Sequence, residues 1–189
     1  MKRVYLSGPD VFLPNAIELG EAKKKLCTQY GFEGLVPADK KLDLSGIPTK
    51  HAKGVAIYHA DLRLMELCDF AICQLTPYDG PSADVGTVFE LGWMVGVGKP
   101  CLGYTNSALD MIDRMKALGH RISIDAQGWP VSEQGLRQED FDMSDNLMID
   151  GALAAQGFPL VRHAAAPDRL YTDLTGFETC LKMAREKFG

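Results

Sequence analysis

The chain has 189 residues, 46% of them apolar and 24% charged, a balance that predicts one ordinary globular domain over 1–189. A chain of this length buries about 70% of the surface its unfolded form exposes, so its core needs neither disulfides nor a metal. A net charge of −5 and a sequence pI near 5.4 argue against a nucleic-acid polymer as partner, because phosphate backbones are bound by basic surfaces.

Val4 to Leu6 are β-prone and end on Ser7-Gly8-Pro9, a turn signal. This strand begins too early for the long apolar core of a secretion signal, and no later window reaches the roughly 18 apolar residues of a membrane span. The expectation is a cytoplasmic protein without membrane contact. A helical period follows from about Asn15 to Tyr30, and another from about Lys53 to Leu67. Asp69 to Gln74 reads as a short buried strand, and Thr76 to Ala83, rich in Pro, Gly and Asp, as a loop. Val85 to about Val97 is helical in pattern, and Gly98-Lys99-Pro100 stops it before the strand-like Cys101 to Tyr104. Gly119 to Asp142 shows no period and is expected to be irregular; helices are expected again over Asp145 to Gln156 and Leu174 to Lys187.

Strands alternating with helices imply an α/β fold, a Rossmann-like (flavodoxin-like) parallel sheet with helices on both faces. In such folds ligands sit beyond the carboxyl ends of the strands, which puts the loops after Leu6, Gln74 and Tyr104 in view. The five cysteines are an odd number, and Cys27, Cys68, Cys73 and Cys101 lie in apolar surroundings that suit reduced core residues. Cys68 and Cys73 flank a strand with no His close by in sequence, so no metal site is expected.

The stretch from Asp79 to Gly92 carries the most chemistry. It places Asp84 at a helix start and Glu90 a turn and a half further on, with Gly80, Gly86 and Gly92 around them. Helix side chains lean toward the N-terminus, so the Glu90 carboxylate points back over Gly86 and Thr87, where backbone is nearly bare. The positive end of the helix is expected to keep Glu90 ionised and nucleophilic. A Gly-rich loop before a helix also suits phosphate, but this one carries Asp79 and Asp84 and no Lys or Arg. Ionised carboxylates instead accept hydrogen bonds from sugar hydroxyls, which favours a neutral glycoside. Taken singly, Asp84 could be a routine cap and Glu90 a solvated residue. Asp61 could likewise be a surface charge paired with Arg63 or Lys53, and Tyr5 a core aromatic whose hydroxyl needs a partner.

Tyr5-Leu6-Ser7-Gly8-Pro9, Ala60-Asp61-Leu62, Cys68-Asp69-Phe70 and Asp84-Val85-Gly86-Thr87-Val88-Phe89-Glu90-Leu91-Gly92, in that order, resemble the nucleoside 2-deoxyribosyltransferase family over roughly residues 3 to 104. The resemblance implies that Glu90 is a nucleophile, that Tyr5 orients it, that Asp61 faces the nucleobase, and that Asp84 binds the hydroxyl end of the deoxyribose. It places Gly8 and Gly86 at the substrate. Ser144 to Met148 resembles a segment that family members donate to a neighbouring subunit, making Asn146 the donated residue of a homodimer or hexamer with composite sites. The implied reaction transfers 2-deoxyribose from a deoxynucleoside to a free nucleobase with retention and without a cofactor. A hydrolase of deoxynucleosides or their 5′-monophosphates and a non-catalytic nucleotide-sensing module are the competing readings. Asp84 disfavours the monophosphate, because the related hydrolases carry a Ser there.

Overall fold

Strand alternation decides which helices pack on which face. In β1 (Lys2–Ser7), Val4 and Leu6 belong to one core cluster, whereas Tyr5 belongs to the other. The computed structural model describes residues 1–39 and 42–189, and its main sheet has five parallel strands. Their order is β2 (Phe32–Leu35), β1, β3 (Phe70–Gln74), β4 (Cys101–Thr105), β7 (Val161–Arg162). Every residue of β3 and β4 is buried, as expected of central strands covered on both faces. The α/β class read from the sequence is the observed one.

Helices α1 (Ala16–Gln29) and α6 (Thr175–Phe188) cover the Val4/Leu6 face, with Cys27, Phe177, Cys180 and Leu181 meeting Phe70, Ile72 and Leu102. Helices α2 (Lys50–Leu67), α3 (Val85–Gly96) and α5 (Leu147–Ala155) cover the other, where Met65, Leu91, Met94 and Leu153 meet Tyr5, Ala71 and Cys73. Thr49 caps α2 by accepting from the Ala52 N–H at 3.1 Å, and Lys99 donates to the carbonyls of Met65, Glu66 and Cys68 at its other end. After β1 the chain adds β2 on one side and then returns to place β3 on the other. The crevice between the ends of β1 and β3 is therefore the topological switch point of the sheet.

Between β4 and β7 lie α4 (Met111–Ala117), an antiparallel pair of short strands, β5 (Ile122–Ile124) and β6 (Pro130–Ser132), and then α5. The irregular excursion expected over 119–142 thus contains a hairpin, tightened by Arg137, which pairs with Asp125 at 2.8 Å and lies over the Trp129 ring. Three-residue strands are too short for a period to declare itself. The same holds for β7, two residues long, which is a strand only because Tyr104 and Thr105 pair with it. In β2, Glu33 and Gly34 hide an otherwise apolar strand.

The five cysteines are all free and buried. Burial pushes the thiols of Cys27, Cys68 and Cys101 up to about 12, so they behave as small apolar side chains. Among the described residues no group of three or more His, Cys, Asp or Glu is placed to hold a metal ion, and no helix is long and apolar enough to cross a membrane.

Candidate active site

The carboxylate of Glu90 reaches from the second turn of α3 to the end of β1. There the Tyr5 hydroxyl donates to Oε1 at 2.7 Å and the Ser7 hydroxyl donates to Oε2. Strand alternation makes this possible: Tyr5 and Ser7 are two apart and project from the same face of β1. Both are fully buried, and burial, with Glu90 next in order, holds the Tyr5 phenol far above its ordinary range, so it stays a proton donor. From the sequence Ser7 belongs to the turn signal and to the Tyr5–Pro9 motif without a role of its own, and the signal for that role is the Tyr-x-Ser spacing of a strand that ends at the switch point.

Burial acts on Glu90 alongside the helix end read from the sequence. Its pKa is raised, and desolvation by burial is the first cause; the hydrogen bonds from Ser7 and Tyr5 pull it down, while Asp61 and Asp84 push it up. Burial and the neighbouring acids thus outweigh the two hydrogen bonds, and a helix-end effect falls off within the first turn.

Glu90 opens into a cavity of about 360 Å³, within the size range of small-molecule pockets. Asp61, Asp84, Gly8, Gly86 and Thr87 share it, and Val11, Phe12, Pro37, Ala38 and Ile57 give it apolar walls. Ile57 and Asp61 stand one helical turn apart on α2 and so line the same side. No Lys or Arg is among these lining residues. Asp84 caps α3, accepting at Oδ2 from the Thr87 N–H at 2.8 Å and the Thr87 hydroxyl at 2.9 Å. A Cβ on Gly86 would lie 3.1 Å from that oxygen, so glycine makes room for the carboxylate. Gly8 is needed for space as well: a Cβ there would sit 2.5 Å from Asp10 Oδ1 and 2.8 Å from Gln74 Cβ.

The loop that carries Asp84 is held from behind. Asp145 accepts from the Ser82 hydroxyl at 2.6 Å and from the Ala83 N–H at 2.9 Å, and Arg114 donates to the Pro81 and Leu109 carbonyls at 2.6 and 2.8 Å. Arg114 also reaches the Ser144 carbonyl, and it pairs with Asp145 at 3.2 Å in a site where both side chains are buried. Neither residue was singled out from the sequence, because their partners are mostly backbone atoms distant along the chain.

Six of the seven site residues read from the sequence, Tyr5, Gly8, Asp61, Asp84, Gly86 and Glu90, therefore meet at one crevice. Asn146 does not. It caps α5, accepting from the Met148 N–H at 3.0 Å and donating to Glu139 at 3.0 Å. Its groove, about 440 Å³, runs along Val85, Val88, Gly92, Met148 and Ile149, on a different face of α3 from Gly86, Thr87 and Glu90.

Fold and crevice together define a flavodoxin-like α/β protein whose switch point gathers three carboxylates. The chain belongs to the nucleoside 2-deoxyribosyltransferase family, whose model matches residues 4–148. It is 30% identical over 164 residues to an uncharacterized protein of Schizosaccharomyces pombe, covering 82% of this chain and 78% of that one. A solved structure described as a 2-desoxiribosyltransferase from Leishmania mexicana superposes with a TM-score of 0.69 at 23% identity, covering all of both chains. A 2-deoxyribosyltransferase from Bacillus psychrosaccharolyticus gives a TM-score of 0.45 at 20% identity over 59% of this chain and 81% of that one.

Proposed function

We propose that this chain transfers 2-deoxyribose between nucleobases through a covalent glycosyl ester on Glu90. The observation that carries the reading is the Glu90 carboxylate, held at both oxygens by Tyr5 and Ser7 while it opens into a cavity shared with Asp61 and Asp84. A carboxylate so fixed attacks C1′ of a 2′-deoxynucleoside from the face opposite the base, through an oxocarbenium-like transition state. The C1′–N bond breaks as the C1′–O bond to Glu90 forms, and Asp61 protonates the departing base. An incoming base, deprotonated by Asp61, then displaces the ester, and two inversions give retention. Asp84 accepts from the hydroxyl end of the sugar, and Gly8 and Gly86 let substrate approach the backbone. Burial adds to the reactivity, because a partly desolvated carboxylate is a stronger nucleophile than a hydrated one.

The working unit in this reading is a homo-oligomer. Val85 is 84% exposed and Met148 72%, an apolar rim on the groove beside Asn146 that a second copy would cover. Asn146 would then enter the neighbour's site and help keep water off the ester, so that transfer outruns hydrolysis.

The test is base exchange, with thymidine or 2′-deoxyinosine as donor and adenine as acceptor, and free deoxyribose followed alongside. Glu90→Ala is expected to lose exchange by several orders of magnitude with the fold kept, and a 2′-fluoro-2′-deoxynucleoside to leave a sugar adduct on the Glu90 peptide. Near-normal turnover in Glu90→Ala removes the nucleophile. Mixing Asn146→Ala with Glu90→Ala subunits is expected to restore part of the activity, since one site of each mixed dimer is intact. Freely exchanging subunits that recover nothing remove the composite site.

A further inference from the structure

Lys23 is 1% exposed and Asp10 6%, and their side chains meet at 2.7 Å. The Lys23 ammonium also lies 5.6 Å from the centre of the Phe177 ring and 6.0 Å from that of Tyr104, deep in the α1/α6 core. A buried ion pair is a poor way to stabilise a core, because desolvation of the two charges offsets their attraction, and apolar residues of the same volume serve as well or better. What such a pair does supply is a fixed geometry. Its location is informative: Asp10 sits in the 3-10 turn Pro9–Phe12, between the strand end that carries Ser7 and the residues Val11 and Phe12 that wall the Glu90 cavity.

The contacts make this turn a stiff connection. Asp10 Oδ1 packs against the backbone of Gly8 so closely that no Cβ would fit, with Gln74 on the other side. At the far end, Phe12 is 61% exposed yet stacks on Tyr78 with ring centres 5.4 Å apart. The wall is therefore pinned from below at Asp10 and from the side at Phe12.

The geometry points to Asp10 and Lys23 as a positioning pair that sets the Ser7–Phe12 segment, and through it both the Ser7 hydroxyl on Glu90 and the Phe12 wall of the cavity. The pair does not touch substrate; it acts through the segment it holds. The inference rests on the reading of Glu90 as nucleophile. Removing one partner would strand a charge in the core, so the informative variant removes both: Asp10→Asn with Lys23→Met, which keeps an oxygen against Gly8 and fills the core with a side chain of similar length.

The experiment compares wild type, this double variant, Ser7→Ala and Glu90→Ala in thymidine-to-adenine exchange. Rates of the proteins that keep Glu90 are expressed per site that forms the 2′-fluoro-sugar adduct, so that misfolded protein does not count, and the rate of Glu90→Ala, which cannot form it, per folded protein. The double variant is expected to melt close to wild type and to lose about tenfold to a hundredfold in kcat/KM per titrated site, the scale of a small misplacement of reacting groups. A second readout separates positioning from mere stability. The groups facing Glu90 are Tyr5 and Ser7 from β1, Asp61 from α2, Asp84 at the head of α3 and Cys73 from β3. Of the changes made, only a loosened Ser7 contact alters this set, so the acid limb of kcat/KM is expected to move to higher pH, as it does in Ser7→Ala. A folded double variant with kcat/KM within twofold of wild type, or with the lost activity fully explained by fewer titrated sites and an unmoved limb, overturns the inference. Should the double variant fail to fold, Asp10→Ser with Lys23→Leu, which also removes both charges and their contact, is held to the same two criteria. If Glu90→Ala retains exchange, the failure lies with the nucleophile reading; if Glu90→Ala is inactive and the pair variant normal, it lies with the pair.

Discussion

A cluster of three carboxylates and a single buried one, Asp145, stand near the same carboxyl edge of the sheet in opposite surroundings. At the β1/β3 crevice, Glu90, Asp61 and Asp84 share a cavity of about 360 Å³. Beyond the same edge, Asp145 lines a cleft of about 10 Å³: both its oxygens are taken by Ser82, Ala83 and Arg114, and its side chain is 1% exposed. The difference teaches that acids alone do not mark a site. A carboxylate closed in by the groups it holds together is a fastener, whereas Glu90, although both its oxygens accept from Tyr5 and Ser7, opens into a cavity where a ligand can reach it.

The largest effect expected from breaking this comparison lies with the fastener. Asp145→Ala leaves Arg114 buried without its carboxylate and frees the Ser82–Ala83 loop. Stability should fall by about 3–5 kcal/mol, read by urea denaturation, with the loss of activity following the loss of folded protein. A variant that is fully stable but inactive would place Asp145 among the ligand-facing acids instead. A smaller effect is expected at Asp84→Ser. Serine still caps α3, so the fold is kept, but the charge lining the cavity is gone. Turnover of deoxynucleosides should drop, and the ratio for deoxynucleoside 5′-monophosphates over deoxynucleosides should rise about tenfold or more. A wild-type preference for the monophosphates would contradict the assignment.

The smallest effect is on stability at Glu90 itself. Because its pKa is raised in the fold, the native state holds its proton where the unfolded state has lost it. Stability therefore declines as pH rises from the ordinary carboxylate value to the raised one, and stays lowered above it. Glu90→Gln should melt a few degrees higher than wild type at pH 7, on the order of 1 kcal/mol, with the gain disappearing below the ordinary carboxylate pKa. Equal melting at both pH values would mean that the ionised Glu90 is not under strain. Ser7→Ala is expected to enlarge the penalty, since it removes a donor that favours the charged form.

Much of this arrangement was legible in the residues. Apolar runs bounded by Gly and Pro gave β1, β3, β4 and their helices to within a few positions, since continuous burial leaves a continuous apolar signature. The spacing of Asp84, Gly86 and Glu90 put a cap, a gap and an acid on adjoining turns of one helix, a local matter of 3.6-residue geometry. Tyr5 and Asp61 were recognisable as members of an ordered set of motifs. The elements that escaped notice, β2, β7, α4 and the 122–132 hairpin, are short or interrupted and exist because of what they pair with.

What the sequence determined by itself was therefore periodic or local: the alternation of strands and helices, the helix cap at Asp84, and the orientation of Glu90 over a glycine. Tertiary structure alone decided which side chains answer one another across long stretches of chain. It brought Ser7 to Glu90, seated Lys23 under Asp10, closed Asp145 with Arg114, and turned Asn146 away from its own chain's crevice. It also set the desolvation of Glu90, because a helix end is read from neighbours in sequence, while desolvation depends on everything that packs around the group.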